Sequence, residues 1–94
     1  MQTVPPLTDH ARVRLAQRGI RPEAVALALR WGRHRYSHGD RLFFLARRDL
    51  PGGLGHELAR RAEGTVVVVT PTGAIRTVFR NPRFWSRFKK RRNP

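Results

Sequence analysis

The sequence predicts an α+β fold, with two N-terminal helices packed on a small antiparallel β-sheet. Three features carry that expectation. Leu7, Ala11 and Leu15 recur at four-residue spacing between a threonine and a glycine, as an amphipathic helix requires. Pro22-Glu23 opens a second, nearly all-apolar segment that ends at Gly32. Thr65-Val66-Val67-Val68-Val69-Thr70 is β-branched throughout, which favours an extended backbone covered on both faces.

The first helix is framed by Thr8, a capping residue, and by Asp9 in the first turn, where a carboxylate favours the positive helix end. Gly19 stands where a helix commonly stops in the left-handed conformation. Beside the apolar stripe runs a second row, His10, Arg14 and Arg18. Each four-residue step turns about 40° around the helix, so this row drifts toward the core and Arg18 reaches its edge. Arginines needed only for solvation belong on the far face. These line a seam between core and cleft, although Arg18 could equally bond a carbonyl with its stem on apolar neighbours.

The second helix, with Ala24-Val25-Ala26-Leu27-Ala28-Leu29 as its body, is expected to lie buried on the sheet. Residues 33–48 read as a hairpin. His34-Arg35-Tyr36-Ser37 forms a polar edge strand, His38-Gly39-Asp40 the turn, and Arg41 to Arg48 the longer strand. His34 and His38 lack a third ligand or carboxylate cluster, so no metal site is expected. Leu50 to Gly55 breaks the chain, and its glycines have the wrong spacing for a phosphate loop. A short helix follows through His56–Glu63. After the valine strand, Pro71-Thr72-Gly73 turns the chain into Ala74–Arg80. Alternation sends Ile75, Thr77 and Phe79 to one face, taken as core, and leaves Arg76 and Arg80 on an open basic face.

Lys and Arg number 20 against 6 Asp and Glu, a formal charge of +14 on 94 residues. Such an excess implies a polyanionic partner, because each neutralised phosphate releases counterions. An acidic protein partner is the competing reading. The cysteine count is 0, so disulfides and thiolate metal sites are excluded and a cytoplasmic location is expected. No apolar run reaches the roughly 20 residues that span a bilayer. The chain divides into a folded domain over 1–81 and a basic, aromatic-containing tail over 82–94, in which Phe84, Trp85 and Phe88 can dock. Arg76, Arg83, Arg87, Lys89, Lys90, Arg91 and Arg92 are the expected nucleic-acid contacts.

The His10-x3-Arg14-x3-Arg18-Gly19-Ile20 helix, Pro22-Glu23, and the late hairpin ending Arg76-Thr77-Val78-Phe79-Arg80-Asn81 resemble a widespread bacterial domain family of unknown function. That family is similar in layout to the RelE/ParE toxins and to the barnase, EndoU, colicin and RelE group of small metal-independent ribonucleases. The resemblance covers residues 7–81 and departs at Phe79, where the family usually has tyrosine. It implies a RelE-like fold and a toxin that cleaves RNA, ribosome-bound or free, without a cofactor, and that an acidic antitoxin neutralises. Such chemistry needs a base for the 2′-hydroxyl, an acid for the leaving oxygen, and cations around the transition state. His10 is the candidate acid or base, since imidazole titrates near neutrality. Arg14, Arg18 and Arg80 are the candidate phosphate clamp, with Thr77 or Lys89 assisting and Glu57 unplaced. The alternative is a non-catalytic nucleic-acid-binding module or accessory subunit that uses its basic face and tail. The nuclease reading requires His10 and Arg80 to share one anion-sized pocket.

Overall fold

The computed structural model describes residues 9–84. Its architecture is α+β, three helices and a four-stranded antiparallel sheet. In chain order the elements are α1 (Asp9–Gln17), α2 (Pro22–Trp31), β1 (Arg33–Ser37), β2 (Asp40–Phe44), a 3-10 turn (Arg47–Asp49), α3 (His56–Ala62), β3 (Thr65–Val69) and β4 (Ile75–Arg80). The strands lie side by side in sequence order, so β1 and β4 are the sheet's edges. Leu15 of α1, Ala24, Val25 and Ala28 of α2, and Ala62 of α3 form one core with Val67 and Val78. All three helices therefore pack on the same sheet face.

The expected cap Thr8 lies outside the described residues. The other end of α1 closes as its sequence demands. Gly19 takes φ 68°, its N–H donates to the Ala16 carbonyl at 3.1 Å, and the Ile20 N–H donates to the Leu15 carbonyl at 2.9 Å. These are the two bonds of a Schellman stop, and its apolar pair, Leu15 and Ile20, joins the core. Gly32 is required for another reason. Its backbone is extended, with φ −72°, but a Cβ there would lie 2.5 Å from the Ala28 carbonyl oxygen and 2.8 Å from that of Phe44. Close approach of α2 to β2 makes this residue glycine.

The hairpin between β1 and β2 turns on two residues of positive φ, His38 at 52° and Gly39 at 86°, so Ser37 pairs with Asp40 and Tyr36 with Arg41. The strand expected to run to Arg48 ends at Phe44. Leu45, fully buried, still bonds to Thr65 and Gly64. Beyond it the chain coils into the 3-10 turn, where Asp49 accepts from Arg33 Nε at 2.9 Å. That bond holds the Arg33 pKa above its ordinary value. The ion pair draws the chain back toward β1 in place of a longer strand.

The face assignment of β4 also differs from simple alternation. Val68 pairs with Thr77 but Val69 pairs with Ile75, so Arg76 is an extra residue, a β-bulge. The bulge places Ile75 with Val78 on the helix side, and Val78 is the core residue of this strand. Phe79 turns to the opposite face, where the Phe84 ring meets it at 5.6 Å and Phe44 at 6.2 Å between centroids. Val66, fully buried, lies between Phe44 and Phe79 in the register. The valine strand is thus covered on both faces, by helices on one and aromatic rings on the other. The open face expected to carry Arg76 and Arg80 together does not exist.

Gly32→Ala is expected to lower stability by about 1–3 kcal/mol through overpacking against backbone that cannot yield. Gly19→Ala meets no neighbour within 4 Å and costs about 1 kcal/mol for its left-handed backbone alone. Urea unfolding midpoints of the two variants would show Gly32→Ala as the weaker.

Candidate nucleic-acid interface

As an edge strand, β4 has backbone groups that no strand satisfies, and such an edge must be covered. Here α1 covers it. Arg18 Nη1 donates to the Val78 carbonyl oxygen at 2.6 Å, which pins the helix beside the strand while Leu15 anchors it to the core. Between helix and strand remains a groove of about 260 Å³. Its apolar lining is Ala11, Leu15, Ile75 and Val78; its polar lining is His10, Arg14, Arg18, Arg76 and Thr77. The row His10-Arg14-Arg18 therefore stands where its drift around the helix places it, on a seam between core and cleft.

Among the described residues that line this groove, none is a carboxylate. Asp40, the acid that reaches Arg76, accepts from its Nε at 3.0 Å and its Nη2 at 3.3 Å. Asp49 is held by Arg33, and Glu57 by Arg60 and Arg61 within α3. Among the described residues, no hydrogen bond or ion pair engages the side chain of His10 or Arg14. Both are exposed along α1. Arg18 keeps its remaining guanidinium donors beside them.

Arg80 is elsewhere. Its Nε donates to the Glu63 carbonyl at 2.7 Å and its Nη2 to the Arg60 carbonyl at 3.0 Å. These carbonyls end α3, where a helix leaves acceptors unpaired and a cation is favoured. Arg80 is a helix cap outside the groove. The pocket expected to join it to His10 is not formed, because Arg80, two strand positions beyond Val78, spends its fork on the backbone of α3 and its C-cap. Glu57 is likewise no candidate base. Bonds from Arg61, then Arg60, hold its carboxyl below the usual range, and a weaker base takes protons less well.

Among the other expected contacts, Arg83 is exposed after Asn81, whose Oδ1 accepts its backbone N–H at 3.1 Å. Arg87, Lys89, Lys90, Arg91 and Arg92 lie outside the described residues, as do Trp85 and Phe88. His34 tilts against Phe43 at 5.3 Å, and His38 Nδ1 lies 3.2 Å from Ser37 Oγ. A cluster not singled out from the sequence is Tyr36 with Arg41. The signal was present: a two-residue turn at His38-Gly39 sets these two opposite each other.

Together the fold and groove define a basic α+β domain with a cleft lined by His10, Arg14, Arg18 and Arg76 at one sheet edge. No helix among the described residues is long and apolar enough to cross a membrane. No family model, curated protein or solved structure matches the chain.

The two arginine roles separate by stability. Arg80→Ala strips the cap from α3 and is expected to cost about 1 kcal/mol, seen as a lower thermal midpoint. Arg14→Ala, which breaks no bond, is expected to leave that midpoint within about 0.5 kcal/mol of wild type.

Proposed function

We propose that the protein binds RNA, with the phosphate backbone running along the groove between α1 and β4. One observation carries this reading: His10 and Arg14 face a cleft whose described lining holds no carboxylate, in a chain of formal charge +14. Arg14 offers a forked guanidinium to a phosphate, the spare donors of Arg18 offer a second contact, and His10 adds an imidazole N–H. Ala11 and Leu15 form an apolar floor suited to the ribose. Phosphate contacts of this kind position the nucleic acid without reading its sequence. The tail arginines and lysines would add to the same electrostatic attraction.

A second reading, which must now do without the pocket shared by His10 and Arg80, keeps the RelE-like layout and makes the protein a metal-independent ribonuclease of the bacterial cytoplasm, a toxin restrained by an acidic antitoxin. His10 beside Arg14 and Arg18 favours it, since an imidazole next to a phosphate clamp can move a proton. Binding is the better-supported role because cleavage needs both a proton acceptor and a donor. Among the groove's described residues His10 is the imidazole, and the guanidinium groups stay charged throughout. With Arg80 used as a helix cap, the transition state also loses one expected cation.

The test is fluorescence anisotropy of a labelled RNA oligomer across a series of salt concentrations. Wild type should bind, with log K falling linearly with log salt. Arg14→Ala should weaken binding and reduce the slope by about 0.7–0.9, the loss of one phosphate contact. Wild-type affinity and slope in Arg14→Ala would remove the groove from the interface. Incubation with total RNA separates the second reading: products formed by wild type and not by His10→Ala would make the protein a nuclease.

A further inference from the structure

On the helix-bearing face of the sheet, the helices stop short of the β1 edge. The register sets His34 opposite Phe43 and Tyr36 opposite Arg41, and continues Phe43 to Val67 in the core. These four side chains therefore share one face, and they are the part of it that extends outward from the core. Phe43 is half-buried against the core, whereas His34, Tyr36 and Arg41 are exposed. Tyr36 leaves 65% of its surface open, more than any other large hydrophobic side chain described.

The arrangement is ordered. Arg41 Nη2 donates to the Tyr36 hydroxyl at 2.7 Å, and its guanidinium carbon stands 5.1 Å from the Tyr36 ring centre and 5.9 Å from that of Phe43. The two short turns border it. Gly39, Thr70, Pro71 and Gly73, with Val69, line a depression of about 350 Å³ against Tyr36 and Arg41. This lies within the size range of sites for small organic ligands, roughly 300–1,000 Å³. Among the described residues no carboxylate pairs with Arg41.

Exposed rings beside an unneutralised guanidinium suit one class of occupant. Aromatic faces stack unpaired bases, and the cation meets the phosphate between them. Bases inside a duplex present no free face to a ring. An acidic peptide would be drawn to the arginine but would leave His34 and Tyr36 without a planar partner. We propose that the His34–Tyr36–Arg41–Phe43 face is a stacking platform that selects single-stranded over duplex RNA. The proposal rests on the RNA-binding reading and names the form of RNA it takes. It uses residues of β1 and β2, which β3 separates from the groove at β4.

The experiment compares a labelled oligouridylate with an RNA duplex of equal length, against full-length wild type, Tyr36→Ala, Tyr36→Phe and Arg14→Ala. Tyr36→Ala should weaken the oligouridylate about tenfold, the scale of one lost base stack, and leave the duplex within twofold. Tyr36→Phe keeps the ring and should bind as wild type, which separates stacking from the hydroxyl's bond to Arg41. Equal affinity of Tyr36→Ala and wild type for the single strand would overturn the platform, as would equal weakening of both RNAs. If only Arg14→Ala weakened binding, the groove reading would stand and the platform would fall. Wild type that binds neither RNA would end both.

Discussion

The bond from Arg18 to the Val78 carbonyl, 2.6 Å long, decides how the molecule closes its outer edge. An edge strand left open is an invitation to pair with another chain. Here one guanidinium, reaching from the residue that follows α1, occupies the carbonyl, and Leu15 in the helix's last turn fills the core beneath. The helix is held beside the strand and not over the middle of the sheet. That offset is why a groove exists, and why the row of side chains next to Leu15 faces it. Removing the Schellman stop at Gly19 would alter the same geometry, because Ile20 and Leu15 close the helix and anchor it together.

Charge is distributed around this framework in a consistent way. The scarce carboxylates described above are spent where arginines hold structure: Asp49 on Arg33 at the hairpin base, Asp40 on Arg76 at the bulge, Glu57 on its own helix. Arg80 needs no carboxylate because helix carbonyls receive it. Among the described residues, Arg14 on α1 and Arg41 on β2 are left without a carboxylate partner. Of the ion pairs, those of Glu57 are exposed on both sides and contribute little to stability. The consequence of the pairs as a set is positional, in that they leave selected arginines available to an external polyanion.

Much of this was legible in the chain. Pro22-Glu23 and the apolar body of α2 specify a buried helix, and the valine run specifies a strand covered on both sides. Gly19 announces its stop, and the four-residue spacing of His10, Arg14 and Arg18 announces their common row. The failures have local physical causes. Alternation along β4 is read one residue at a time, and the bulge at Arg76 shifts the phase, so Val78 and Phe79 exchange the faces assigned to them. Arg80 carries no mark that distinguishes a phosphate clamp from a helix cap, since both are anion-like acceptors. Glycine at position 32 reads as a stop by its type, although what demands it is the carbonyl of Phe44, distant in sequence. The Arg33–Asp49 pair that shortens β2 is likewise a contact between separate segments.

The central claim is that the seam between α1 and β4 receives the phosphate backbone. Backbone amide shifts of the isotope-labelled protein, followed by NMR while a short RNA is added, test it most directly. The account predicts that the largest shifts fall at residues 10–18 and 75–78, with Arg60, Arg61 and Glu63 on α3 unmoved. Shifts centred on α3 and Arg80, with α1 silent, would contradict it.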